Sequence, residues 1–492
     1  MDARFDGRTV LVAGLGVSGR AAAQVLTDRG ARVVTFDDRA AEADHHDVDA
    51  FLAADGLADV DLVVASPGLP PHHPLLAAAR ERDVPAWSEV ELAWQVRVPR
   101  DGGAGEPAPW LAVTGTNGKT TTVGMLESIL RAAGRNAPAV GNVGTPVVLA
   151  AVDPQVDVLA VELSSFQLHL THSMSPQAAA VLNVAPDHLD WHGSLEAYAE
   201  AKGRVFERTQ VACVYNAADP VTEQLVRDAD VVDGAVAVGF TLGMPGVGQV
   251  GLVEDVLVDR GFARLRHTHA AELGTLADLA QLAGPDGAVP PHVVRNALAA
   301  AALALAHGVE PVHVRDGLRA FGPGAHRIVT VGRVDGVAYV DDSKATNAHA
   351  AAASLAAFGE GSVVWVAGGL AKGATFDELV RARRDRLRGV VLIGVDRAPL
   401  RDALARHAPD VPVIEVPAGE TEPVMTRAVQ EARRLAAGAP AGVPVTVLLA
   451  PASASMDQFA SYAARGDAFA AAVQALGADG VSPRADGPEA RP

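Results

Sequence analysis

The chain has 492 residues, 49% hydrophobic and 20% charged, enough for ordinary cores and for about three domains by length. Its net charge of −18 excludes a nucleic-acid or anionic-membrane binder, which needs a basic footprint, and demands local cations wherever a polyphosphate is held. The single cysteine, Cys213, excludes an internal disulfide.

No apolar run approaches the ~18 residues of a membrane span, and "MDARFDGRTVLVAG" has no basic region leading into an apolar stretch. A cytoplasmic protein without membrane insertion is expected, in a reducing compartment.

Residues 1–98 open with a strand, "TVLVAG" (9–14), and a glycine turn, "GLGVSG" (14–19). A helix pattern follows, then the strand "ARVVTFDD", and "VDLVVASPGLP" repeats strand then turn. This is a βαβ unit of a Rossmann-like domain. The G-x-G-x-x-G alone fits a dinucleotide-dependent oxidoreductase, with Asp37 standing 18 residues beyond Gly19, near the ribose-binding position. It fits tight helix–strand packing nearly as well. "VPRDGGAGEPAP" (98–109) reads as a linker.

Residues 99–323 form a second domain, a mostly parallel sheet of P-loop type. "WLAVTG" reads as a strand and "VGMLESILRAAG" as a helix, with "TGTNGKTTT" (114–122) between them. A glycine loop entering a helix aims backbone N–H groups and the helix dipole at an anion. Lys119 adds a cation and Thr120 a hydroxyl for Mg²⁺. Only Thr116 and Asn117 separate Gly115 from Gly118, two residues fewer than the usual loop.

"VELSSFQL" (161–168) puts Glu162 at a strand end, a place for a Mg²⁺ ligand. "NVAPDHLDWHG" (183–193) holds His188 between two acids, and by itself a structural histidine is the plainer reading. "SLEAYAEAKGRVFERT" predicts a helix over 195–208 with Ser194 as N-cap, on which Lys202 alone reads as a solvated surface lysine. Residues 241–290 are Gly/Val-rich and give no clear element. "ALAAAALALA" (297–306) suits a buried helix, and "GPGAH" (322–326) a hinge.

Residues 324–476 alternate again. "VAYVDD", "GSVVWVAGG", "GVVLIGV" and "VTVLLAP" read as strands of a Rossmann-like α/β domain. Its polar loops "YVDDSKATN", "WVAGGLAKGATF" and "LLAPASASMDQF" have N–H groups and lysines able to hold carboxylates. Residues 477–492 read as a disordered tail.

Together and in this order, these stretches closely resemble the Mur ligases over residues 8–475. "TGTNGKTTT" matches that family's short ATP loop, and "ELSSFQL", "NVAPDHLD", "DDSKATN" and "LLAPASASMDQF" resemble its D-glutamate-adding branch. "DNPR", typical of the diaminopimelate- or lysine-adding branch, is absent. The resemblance implies an ATP-dependent amide ligase of peptidoglycan precursor synthesis, and so of cell-wall growth and cell division. ATP would convert the carboxylate of UDP-N-acetylmuramoyl-L-alanine into an acyl phosphate, which the amine of D-glutamate attacks.

It also implies roles. Gly115, Thr116, Asn117, Gly118, Lys119, Thr120 and Thr121 would cradle ATP, together with Asn296, His326, Arg327, Asp342 and Lys344. Thr120 and Glu162 would ligate one Mg²⁺ and His188 a second. Lys202 matches the lysine that the family carries as a carbamate. Gly14, Leu15, Gly16, Val17, Ser18, Asp37, Asp38 and Arg39 would hold the uridine diphosphate, and Asn142 and Ser164 the muramoyl portion. Thr346, Lys372, Ser455, Met456 and Tyr462 would form the D-glutamate pocket. Residues past the second hinge would complete the site on domain closure.

The sequence departs from the family at His292-Val293, where His-Asn is frequent, at Tyr462, where phenylalanine is frequent, and at His169, where an acid is common. A sister Mur ligase, a folylpolyglutamate-type ligase and the oxidoreductase remain as alternatives. A monomer is expected, with small-molecule partners only.

Overall fold

The computed structural model describes residues 5–284, 287–322, 328–371, 373–417, 423–438 and 444–478. They form two compact units: the described part of 1–281 with 291–322, and that of 282–290 with 323–492.

The first unit holds two sheets. Four parallel strands lie in the order Arg32–Phe36, Thr9–Ala13, Leu62–Ala65, Ala86–Ser88. Thr9–Ala13 leads through the glycine turn into the helix Val17–Asp28. A Cβ on Gly19 would lie 1.8 Å from the Gly14 carbonyl oxygen, so helix and turn pack this closely only with glycine there.

A nine-stranded sheet follows, in which Trp110–Thr114 lies between Ala178–Val181 and Leu159–Glu162. These three strands are buried at every position and nearly continuously apolar, as burial on both faces of a parallel sheet requires. The indistinct 241–290 stretch supplies its antiparallel edge, Gln249–Val253, Val256–Asp259 and Ala271–Thr275. Helix Pro291–Ala306 is buried along most of its length, as its alanine run predicted.

One hydrophobic cluster runs through both sheets of this unit, and Trp94 meets Trp110 edge to face at 5.2 Å. The 98–109 stretch is therefore not a free linker: Val98 and Asp101 donate to the carbonyls of Ala151 and Pro154, and Pro99 bridges Pro107.

The second unit is a six-stranded sheet in the order Val329–Val334, Val337–Asp341, Thr446–Leu449, Val363–Gly368, Leu387–Ile393, Val413–Glu415. All pairings are parallel except the first. The two outer strands escape the sequence reading because each is short or only half-buried. The mixed α/β class holds in all three sheets.

Candidate active site

In parallel α/β sheets ligands gather at the carboxyl ends of strands. The strand Trp110–Thr114 delivers "TGTNGK" there, and helix Lys119–Ala132 starts inside the motif, four residues earlier than its apolar pattern suggested. Gly118 caps that helix at φ 86°, and a Cβ on it would lie 2.4 Å from Asn296 Oδ1. Asn296 thus abuts the loop, where the resemblance placed it, and Val293 is buried one turn earlier on the same helix.

The loop is held by the segment after Ala178–Val181. Asn183 accepts from the Asn117 N–H through its side chain (2.9 Å) and returns a bond to the Asn117 carbonyl (3.1 Å). The Thr116 hydroxyl donates to the Ala185 carbonyl and accepts from the Ala185 N–H. Asn183 is a positioning residue the site prediction did not name, although its motif was singled out.

Lys119 Nζ donates to the carbonyls of Gly115 (2.8 Å) and Thr116 (3.0 Å). Lys202 Nζ donates to the same Gly115 carbonyl at 3.0 Å. Lys202 is 1% exposed, so the surface-lysine reading is corrected: its helix, Leu195–Gly203, turns this face inward. That helix ends at Gly203 and passes into a 3-10 turn, Arg204–Phe206, instead of running on to 208, while Ser194 caps it as expected. Burial and the charge of Lys119 hold the Lys202 amine well below the ordinary lysine range, with Asp187 acting weakly the other way. The Tyr198 ring lies 4.3 Å from Lys202 Nζ, and its hydroxyl donates to Thr116 Oγ1 at 3.2 Å.

Glu162 ends the neighbouring strand, in register with Val113 and Gly141. Its Oε1 accepts from Asn142 Nδ2 at 2.8 Å, whereas its Oε2 is buried without a hydrogen-bond partner. A buried carboxylate oxygen left open beside a phosphate loop fits a cation. His188 has φ 53° and sets its ring 4.8 Å from Phe166 and its Nε2 3.7 Å from Asp187. Among the described residues no three His, Cys, Asp or Glu side chains converge on one point, so phosphate oxygens and water would supply the other ligands of Mg²⁺.

Ser164 and Gln167 form a capping box on the short helix Ser165–His169, which explains the spacing of "SSFQ". The Ser164 hydroxyl is engaged there with Gln167. His169, the unexplained departure, packs edge to face on Trp191 at 5.3 Å.

In the first sheet, Asp37 spends its carboxylate on backbone. It accepts from Leu15 N–H at 2.6 Å and from the N–H groups of Arg39 and Ala40 at 2.8 Å. Burial pushes its pKa up, but those N–H groups and Arg20 outweigh it, and the net position is below the ordinary value. Asp37 therefore shapes the turn of Gly14, Leu15, Gly16, Val17 and Ser18, and an acid so committed is a poor ribose ligand for a dinucleotide. Asp38 and Arg39 are exposed beside it.

In the second unit, Asp342 is buried and accepts from Ser354 Oγ. Lys344 Nζ lies 3.9 Å over the Tyr462 ring. Ser455 is buried and Met456 is 69% exposed beside it. The predicted His326, Arg327 and Lys372 lie outside the described residues, as do most of the hinge and residues 479–492 of the tail.

Three family models match in chain order: Mur ligase MurD-like, N-terminal domain over residues 8–88, Mur ligase middle domain over 113–304, and Mur ligase, glutamate ligase domain over 326–453. A Streptomyces avermitilis protein named UDP-N-acetylmuramoylalanine--D-glutamate ligase is 57% identical, over 96% of this chain and 99% of its own. The chain belongs to the Mur ligase family.

Proteins of the same name from Streptomyces coelicolor and Thermobifida fusca are 56% and 51% identical, over 97% and 96% of this Mur ligase. Among solved structures, UDP-N-acetylmuramate-alanine ligase from Thermotoga maritima aligns with TM-score 0.53 at 18% identity, over 95% of this chain and 99% of that one. MurF from Acinetobacter baumannii gives 0.55 at 16%, over 96% and 92%. At such identities these two support the fold alone.

Proposed function

We propose that this Mur ligase joins D-glutamate to UDP-N-acetylmuramoyl-L-alanine with ATP, in peptidoglycan precursor synthesis, in the cytoplasm. The observation that carries the reading is the phosphate loop with Lys119 and Lys202 on one carbonyl and the open oxygen of Glu162 at the adjacent strand end.

On binding ATP, Lys119 leaves its own loop carbonyls for the β- and γ-phosphates, and the loop N–H groups hold the oxygens that gain charge during transfer. Thr120 and Glu162 would hold one Mg²⁺, and His188 with a carbamylated Lys202 would hold a second. Bound Mg²⁺ supplies charge neutralisation on the transferring phosphoryl group. With its uridine diphosphate held by the first sheet's glycine turn and its muramoyl portion by Asn142 and Ser164, the muramoyl substrate attacks the γ-phosphorus through its carboxylate. The amine of D-glutamate then attacks the acyl carbon; Thr346, Lys372, Ser455, Met456 and Tyr462 would recognise the amino acid. The C–N bond forms, the amine loses a proton, and phosphate departs. Orientation accounts for most of the rate, since it removes translational freedom from each step.

Two lysines sharing one carbonyl support the carbamate. Burial beside Lys119 favours loss of the Lys202 ammonium proton; the amine so freed would add to carbon dioxide, an N–C bond would form with loss of a second proton, and an anion would stand next to Lys119 where the ammonium stood.

The test is incorporation. Incubated with ATP, Mg²⁺, UDP-N-acetylmuramoyl-L-alanine and D-glutamate, the protein should yield a nucleotide product heavier by one glutamyl residue. Unchanged substrate in the presence of folded protein would refute the reading.

A further inference from the structure

A charge buried in a protein needs partners, and an arginine whose fork is bonded to carbonyls and a hydroxyl is an unusual interior residue. Arg465, in helix Tyr462–Ala478 of the second unit, is 1% exposed. Its three bonds all go to loops. Nε donates to Ser343 Oγ at 2.9 Å, Nη2 to the Ser343 carbonyl at 2.9 Å, and Nη1 to the Ser453 carbonyl at 3.1 Å. The Ser343 hydroxyl in turn donates to the Tyr462 carbonyl at 2.8 Å.

Those loops leave the carboxyl ends of two adjacent strands, Val337–Asp341 and Thr446–Leu449. A third loop joins them, because Leu370 exchanges backbone bonds with Ala454, and Ala452 donates to Ala345. Gly369 leaves the guanidinium room: a Cβ there would sit 2.2 Å from the Ala454 carbonyl oxygen and 3.3 Å from Arg465 Nη1. The fork thus grips residues adjacent to Lys344 on one loop and two before Ser455 on the other. Burial pulls its pKa down to about 10, with Asp457 and Asp341 opposing, so it is a cation at neutral pH.

We propose that Arg465 is the positioning residue of the amino-acid pocket: its planar fork sets the spacing between the 342–346 and 453–456 loops, and through them the recognition of the amino-acid substrate. This rests on the assignment of those loops to D-glutamate. A planar, five-donor group can span three acceptors in one plane, and an ammonium cannot.

The experiment is steady-state phosphate release by the full chain, for the wild type, Arg465→Met, Arg465→Lys and Ser343→Ala, varying D-glutamate and UDP-N-acetylmuramoyl-L-alanine in turn. A wild type that releases phosphate only with D-glutamate upholds the substrate assignment. One with no release overturns that assignment and this proposal together. Given the first, Arg465→Met should raise KM for D-glutamate by about 10-fold or more with KM for the muramoyl substrate nearly unchanged, since small misplacements of holding groups carry such costs. Arg465→Lys should recover part of the loss. Ser343→Ala removes a single hydroxyl, so it decides the matter even if Arg465→Met does not fold, and it should shift the same KM in the same direction. A D-glutamate KM unchanged in Ser343→Ala, or both KM values rising together in Arg465→Met, would overturn the proposal.

Discussion

Lys119 and Lys202 reach the same carbonyl oxygen, yet the account gives them different work. Lys119→Ala should cut turnover at least about 100-fold, the cost typical of losing one charge-stabilising donor. It should leave thermal unfolding unchanged, and near-normal phosphate release from that variant would remove the loop assignment. Lys202→Ala should be almost inactive and partly restored by millimolar acetate, which can supply the missing carboxylate. Full activity without any addition would contradict the carbamate. Gly118→Ala meets both a positive φ and Asn296, so it should weaken nucleotide binding measured by calorimetry, and wild-type affinity would show the loop to be more forgiving than its geometry. Lys202 also marks what sequence reading lacked. Its helix, "LEAYAEAKG", has alanines on nearly every side, so periodicity could not tell the buried face from the wet one. Only the resemblance raised it above a surface residue. Asn183 was passed over for a related reason, since an asparagine after a strand is a common turn residue.

At the scale of elements, helix Glu89–Gln95 fastens the first sheet to the second. Glu91 accepts from the N–H groups of His172 and Ser173, and Ser88 bonds Thr171. Glu89 is buried, with one oxygen accepting from Val148 N–H at 3.0 Å and the other without a partner. Burial pushes its pKa up from 4.5 to about 7, against the N–H groups of Val148 and Val147. Between those values the folded protein binds the proton that the unfolded chain has lost. The stability Glu89 lends is therefore present below the lower value and is lost as pH rises through the upper one. Glu89→Gln cannot titrate, so wild type should lose ground to it between pH 5 and 8, by at most on the order of 3 kcal/mol. Thermal unfolding across that range is the check, and a difference independent of pH would contradict the burial argument. The strands read from the sequence, such as Thr9–Ala13, Trp110–Thr114 and Val363–Gly368, were legible because each is a short apolar run ending at glycine or polar loops. The antiparallel edge from Gln249 to Thr275 was not, because its exposed face and glycines blur the alternation.

Across the whole molecule, an acidic chain would hold polyphosphate by concentrating lysines, N–H groups and cations at strand ends, and the net charge of −18 then constrains the surface more than the site. The family was legible from its motifs in order, and family models and relatives spanning nearly the full chain agree with it. The three-domain order was legible too, and three family models match in that order; that one apolar cluster runs through the first two sheets was not, because it is a fact of packing across sequence-distant residues. The most direct test is phosphate release from ATP in the presence of UDP-N-acetylmuramoyl-L-alanine, comparing D-glutamate, L-glutamate and L-lysine. The account predicts release that requires both the muramoyl substrate and D-glutamate. Release driven by L-lysine, or release indifferent to the muramoyl substrate, would contradict it.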